Sequence, residues 1–363
     1  MATVAVSQVK LGDKIAQDVL TPLGSVLFHK GKVVTSRELE ILQAFLVPTV
    51  VVGLPGDKKE EEEAVGDKTQ ELSKETTVKS PLLEQYDRTV VLLKSVSNQV
   101  MSGMGISILE IRNQLEALLV HIQEYKILTF SPVTIKNEDY LYHKSVMSAM
   151  SCYMLAQWND FPKKDWMQAA LAGLLHDIGN AKIDRNILNK PTKLNAEESE
   201  EMKRHTVLGY QVLLKVTAIN EGVKLAALQH HERVDGSGYP LGVESSKIHP
   251  YAKIVAISDI FNAMTMKRVY RKATSPYLVL EQIQQDAFGK LEPAYVRTFI
   301  DKVTQFHNGT IVRLSDNRIG EIIFSDHKYP TRPWVSINGT IVNLSIERQL
   351  YIEEIMPKMD SSK

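Results

Sequence analysis

The chain has 363 residues, balances 43 basic against 43 acidic side chains, and holds one cysteine, Cys152. A formal net charge of zero removes any global pull towards nucleic-acid polymers or anionic lipid, and a single thiol excludes an intrachain disulfide or a thiolate metal cage. MATVAVSQVKLGDK lacks a basic-then-apolar leader pattern and no apolar run nears the roughly 20 residues that span a bilayer, so a cytoplasmic protein with no membrane partner is expected.

Residues 1–54 alternate apolar and polar positions in short runs. TVAVSQV, SVLF and PTVVV read as strands, and Thr35 or Ser36 is placed to cap a short helix over SRELEILQAF, which makes a small N-terminal α+β domain. Residues 55–80 are charged and poor in large apolar side chains; they cannot bury enough surface to offset their ordering entropy and read as a flexible linker. From residue 81 apolar side chains recur at three- and four-residue steps: Leu82, Tyr86, Val90, Leu93, Val96, then Ile108, Ile111, Leu115, Leu118, Ile122. Further helices are predicted over about 138–158, 163–176, 196–216, 221–231, 250–266, 276–287 and 292–306. Residues 81–306 are thus an all-α domain, and the chain is mainly α. Residues 307–363 return to alternation, with a turn at Ser315–Asn317, and read as a small C-terminal β module.

The chemistry concentrates in the helical part. Asp139 and His143 are four apart and share a helix face. His176 and Asp177 are adjacent at the end of AALAGLL and just before Gly179; His230 and His231 repeat that arrangement ahead of Gly236 and Gly238. Adjacent helical residues diverge by about 100°, so each pair can serve one site only where a helix ends. His205 falls between the two pairs, and Asp259 interrupts the apolar run IVAISDIF, where an unpaired carboxylate is expensive. Singly, each group reads as a hydrogen-bonded core residue, a cap or an ion pair. Together, imidazole and carboxylate donors without sulfur suit Mn, Fe, Ni or Zn, and their number exceeds what one open metal needs. A pair of ions sharing a carboxylate, roughly 3.5–4 Å apart, would clamp a phosphoryl group, and a bridging water would lose a proton to become the nucleophile.

HDIG at His176–Gly179, HHERVDGSGYP at His230–Pro240 and SDIFNAMTMKRVYRKA at Ser258–Ala273, with ILNKPTKLNAEE and MKRHTVLGYQVL between them, resemble the HD-GYP subgroup of HD-superfamily metal-dependent phosphohydrolases over roughly residues 137–300. The resemblance implies hydrolysis of cyclic di-GMP to pGpG and on to GMP, with two or three divalent ions, iron or manganese. It places the metal ligands on His143, His176, Asp177, His205, His230, His231 and Asp259, makes His176 and Asp177 the catalytic pair with Asp177 bridging, and offers Asp139 to a third ion. Arg268 and Arg271 match positions that hold substrate phosphates, a task suited to a bidentate guanidinium. Gly238 and Tyr239 belong to the signature loop near the substrate; GGDEF-type or other signalling proteins and a second copy of the chain are the expected protein partners. Two departures stand out. Asn180 replaces the family's usual lysine, and Asn262 replaces a common aspartate and so lacks its charge. They motivate two competing expectations: a module that binds a cyclic dinucleotide or a partner without turnover, and a phosphohydrolase for another nucleotide.

Overall fold

The computed structural model describes residues 2–21, 26–45, 47–53, 80–130, 132, 135–266, 274–305 and 309–356. They divide into two compact units, residues 79–305 and residues 1–78 together with 306–363.

The second of these units joins both ends of the chain. Strand β1 (Ala2–Ala5) pairs antiparallel with β4 (Thr49–Val52), and β2 (Val19–Leu20) with β3 (Val26–Phe28). The predicted TVAVSQV strand stops early, because Val6–Gln8 tightens into a 3₁₀ turn. Helix α1 (Ser36–Ala44) starts at Thr35, which forms a reciprocal capping box with Glu38. At the other end, β5 (Ile311–Leu314), β6 (Ile319–Phe324), β7 (Trp334–Ile337), β8 (Thr340–Asn343) and β9 (Ile352–Ile355) form an antiparallel sheet in the order β8-β7-β6-β5-β9. Asn317 takes a positive φ of 68° in the β5–β6 turn, where the sequence predicts one. Ile15, Val34, Leu42 and Val50 from the first stretch share a core with Ile311, Ile319 and Met356 from the last. An ion pair from Arg37 to Glu354 at 3.0 Å also links them. The two stretches that sequence reading separates as 1–54 and 307–363 therefore lie in one unit. Each alone is short for enclosing a core.

The larger unit is helical, and with it the fold is mainly α. Its elements are α2 (Pro81–Met101), α3 (Ile108–Leu119), α4 (Tyr140–Trp158), α5 (Lys163–Leu175), α6 (Arg185–Leu188), α7 (Ala196–Lys203), α8 (His205–Leu214), α9 (Glu221–Gln229), α10 (Pro250–Thr265), α11 (Pro276–Asp286) and α12 (Pro293–Val303). Proline opens α2, α10, α11 and α12 at their first turn, where its missing N–H costs nothing. Among the described residues no helix is long and apolar enough to cross a membrane.

Helix α4 is the axis of this unit. It is buried nearly all round, and its Ser148, Ala149, Ser151 and Cys152 keep it thin enough for α5 and α10 to pack against it. Gly173 of α5 is part of that fit: a Cβ there would stand 2.6 Å from the Ser148 carbonyl oxygen. The predicted helix 196–216 is interrupted. Arg204, at φ −63° and ψ −16°, separates α7 from α8, and His205 becomes the first residue of α8.

Candidate metal centre

Helix ends place the histidine pairs. Helix α5 stops at Leu175, His176 is its C-cap, and Asp177 opens the next 3₁₀ turn with φ −97° and ψ 8°. The change of direction lets neighbours that would diverge within a helix face one pocket. His230 likewise caps α9, and His231 follows outside it. Gly179 closes the arrangement. A Cβ on it would collide with the His205 carbonyl oxygen and the Gly209 amide, so only glycine lets α8 lie against the turn after Asp177.

The pocket has two poles on the two oxygens of Asp177. Oδ1 lies 3.5 Å from His205 Nε2 and 3.7 Å from His230 Nε2. Oδ2 lies 3.4 Å from His176 Nε2, which is also 3.4 Å from Asp259 Oδ1. Among the described residues two groups meet the spacing for one ion, with their donor atoms within 4.8 Å of one another: His205, His230 and His231, and His176, Asp177 and His230.

The imidazoles are oriented by backbone carbonyls, which only accept hydrogen bonds. His176 Nδ1 faces Gly173 O at 2.8 Å, His205 Nδ1 faces Met202 O at 2.7 Å, and His230 Nδ1 faces Ala226 O and Ala227 O at 3.1 Å each. Each Nδ1 must therefore carry the proton and donate it. In the neutral ring the lone pair is then on Nε2, aimed into the pocket.

Burial pushes the His205 and His230 imidazoles below their usual range, and it holds His231 down to about 3. These rings are neutral donors at physiological pH. His176 differs: burial opposes its charge, but the Asp177 and Asp259 carboxylates prevail and raise it to about 9. Burial likewise works against the Asp177 and Asp259 charges, yet the Lys144 ammonium and His176 hold both carboxyls well below the ordinary range.

Three participants escape sequence reading. Lys144, on α4, is buried and puts Nζ 2.7 Å from Asp177 Oδ2 and 2.5 Å from Asp259 Oδ1. Its available signal is a lone cation in a run of small and apolar residues, HKSVMSAMS. Tyr86, on α2, presents its hydroxyl to His143 Nδ1 at 2.8 Å. Glu232 is buried beside the histidine pair. Its carboxylate accepts from the Leu241 N–H at 2.7 Å and the Val243 N–H at 3.2 Å, which holds the 238–240 loop against the pocket.

The other anticipated residues are distributed as follows. His143 and Asp139 stand outside both candidate groups; Asp139 is paired with Lys94 Nζ at 2.6 Å. The Tyr239 ring stacks on His231 at a 4.7 Å centroid distance, with Lys203 Nζ 5.5 Å from the same ring. Gly238 has no room for a Cβ against the backbone of 231–233. Asn180 lines a cleft with Asp177, Ser145 and Tyr142. Asn262 is fully buried in the α4–α10 seam, donating to Ser148 Oγ at 3.1 Å and Ser258 Oγ at 3.3 Å, so its amide faces protein rather than solvent. Lys182, the cation nearest to Asn180 in sequence, reaches the Met101 carbonyl oxygen at 3.4 Å instead. Arg268 and Arg271 lie outside the described residues.

These donors fit a divalent metal. His176 Nε2 is a buried polar atom without a hydrogen-bond partner, a condition a coordinated cation relieves. The His and Asp set, with no sulfur, suits iron, manganese or zinc better than calcium or magnesium.

Comparison with known proteins agrees. Residues 128–294 match the sequence profile of the family described as HD domain. Cyclic di-GMP phosphodiesterase PA4108 of Pseudomonas aeruginosa is 30% identical over 237 residues, which cover 65% of this chain and 57% of that protein. The 3'3'-cGAMP-specific phosphodiesterase 1 of Vibrio cholerae is 34% identical over 148 residues, covering 40% of this chain and 34% of that one. The chain therefore spans little more than half, or less, of the length of these curated relatives. Among solved structures, Bd1817, a HDG"Y"P protein from Bdellovibrio bacteriovorus, superposes with a TM-score of 0.50 at 15% identity, over 83% of this chain and 99% of that one, a likeness of fold. The helical unit of this chain thus matches an HD domain over residues 128–294, and Tyr239 of its Gly-Tyr-Pro loop stacks on His231.

Proposed function

We propose that this protein is a metal-dependent phosphodiesterase that cleaves cyclic di-GMP to pGpG and, in a second cut, to GMP. The observation that carries this reading is the geometry of Asp177. One carboxylate faces two imidazoles with its Oδ1 and a third with its Oδ2, and all three rings have their Nδ1 protons engaged by backbone. A relative matched over 237 residues is named for the same substrate. Iron or manganese is the proposed metal, held by His205, His230, His231 and Asp177 at one pole and offered His176, Asp177 and Asp259 at the other. When bound, such an ion polarises a phosphoryl oxygen and lowers the pKa of a water molecule.

The chain's own residues would bind and orient the substrate. The cleft beside Asp177 is lined by Tyr142, Ser145, Asn180 and Arg185, which offer it two hydroxyls, an amide and a guanidinium. Arg268 and Arg271 are proposed to supply further positive charge. Tyr239, stacked on His231, offers an aromatic face beside the pocket.

A product assay on metal-loaded protein tests this reading. Linear pGpG or GMP should form from cyclic di-GMP, and His176→Ala or Asp177→Ala should abolish it. Metal-loaded wild-type protein that releases neither product removes the enzymatic reading. Asn180, an uncharged group in the cleft beside Asp177, favours a second reading, a nucleotide-binding module with slow turnover. Tight binding with the cyclic ligand recovered intact after long incubation would select it. The similarity to a 3'3'-cGAMP-specific enzyme makes that dinucleotide the comparison substrate.

A further inference from the structure

The two poles of the pocket are not chemically alike. Around Asp177 Oδ1 the neighbours are the imidazoles of His205 and His230, each with Nδ1 facing a backbone carbonyl and Nε2 turned to the carboxylate. Around Asp177 Oδ2 the neighbours include a cation that belongs to the chain. Lys144 Nζ stands 2.7 Å from that oxygen and 2.5 Å from Asp259 Oδ1, and His176 Nε2 stands 3.4 Å from the same two atoms. The ammonium thus takes the position at which both carboxylates converge.

Helix geometry puts it there. His143 and Lys144 are consecutive on α4 and point about 100° apart. His143 turns to Tyr86 on α2, and Lys144 turns to Asp177 and Asp259. The lysine stem is enclosed in the helix bundle, with the side chain only 9% exposed, so the ammonium is not free to swing into solvent without disturbing α4. A buried ammonium with two carboxylate partners is electrostatically settled, whereas a divalent ion placed beside it would meet an unscreened like charge.

We infer that Lys144 is a built-in cation replacing a metal ion at the Asp177–Asp259 pole, so that the chain holds one divalent ion, on His205, His230, His231 and Asp177 Oδ1. This rests on the metal-dependent reading above and narrows it. Lys144 would neutralise the bridging carboxylate from one side while the metal binds on the other. Asp139 adds no further pole, since Lys94 already pairs with it.

The test is metal counting, without reference to turnover. Wild-type protein, Lys144→Ala and Lys144→Met are saturated with manganese, desalted and measured by elemental analysis, with electron paramagnetic resonance on the same samples. One ion per wild-type chain is expected, with the six-line spectrum of an isolated Mn(II). Two ions per chain are expected in the variants, with an exchange-broadened spectrum. Lys144→Met keeps most of the stem's volume and covers the case in which Lys144→Ala does not fold. Two ions in the wild type overturn the inference whether or not either variant folds, and leave the metallohydrolase reading standing. One ion in all three proteins also overturns it. If no sample retains metal, the metal-dependent reading falls and the inference goes with it.

Discussion

One carboxylate, two oxygens, two kinds of neighbour: Asp177 faces imidazoles on one side and an ammonium on the other. The imidazole side is arranged by backbone. Carbonyl oxygens of α7 and α9 take the Nδ1 protons, and burial keeps the rings at that pole uncharged. The ammonium side is arranged by charge, because two buried carboxylates cannot stay ionised without a cation nearby. The difference teaches that a neutral donor can be held ready by one hydrogen bond to its far side, while a buried anion must be compensated at the donor atom itself. A site built both ways has one face prepared for an ion and one that already contains its counter-charge.

Removing the shared atom breaks the comparison most severely. Asp177→Ala strips both poles at once, and the proposed phosphodiesterase activity should fall by about 10³-fold or more, with loss of bound metal by elemental analysis. Retention of metal with activity intact would mean that the two poles do not meet at this residue.

Proton linkage separates the poles next. His176 has its folded pKa raised to about 9, against about 6.5 for an unfolded chain, so its contribution to stability is fully present below about 6.5 and is lost as pH rises through about 9. His205, His230 and His231 are shifted down, so their effect falls below about 6.5, where acidification costs stability. Melting of chelated protein should therefore weaken between pH 6.5 and about 9.5, and His176→Gln should flatten that slope.

Glu232→Ala sharpens the imidazole side alone. It deprives the Leu241 and Val243 amides of a charged acceptor, which should cost about 1.5–3 kcal/mol in thermal or denaturant unfolding. An unchanged melting temperature would show that the signature loop is held by other contacts. The smallest effect is expected from Tyr86→Phe, which removes the hydroxyl beside His143, outside both candidate groups, and should cost about 0.5–1.5 kcal/mol of stability with Mn(II) affinity unchanged. Chemical denaturation and isothermal titration with Mn(II) measure the two.

Much of this site is legible in the chain before folding. The glycines after HD and HH signal helix ends, and the structure ends α5 and α9 there. The apolar background of Asp259 signals a compensated carboxylate, and it is compensated. The partner was not legible, because Lys144 precedes Asp259 by 115 residues and the small, apolar run around it does not say which carboxylate it meets. Glu232 hides for another reason: within HHERVDG it reads as a loop charge until the chain folds back and returns two amides to it. The split between α7 and α8 was missed because no glycine or proline interrupts the stretch from Ala196 to Leu208.

By itself the sequence determined a mainly helical chain with charged punctuation, the helix starts at proline and serine, and the inventory of imidazoles and carboxylates. Those are local properties, set by backbone sterics, capping and period. Only the tertiary structure decided that the chain's two ends share one core, and that a lysine from α4 reaches the carboxylates of the turn after α5 and of α10. Pairings of that kind depend on which helices pack side by side, and packing is a property of whole faces brought together, not of any one stretch of residues.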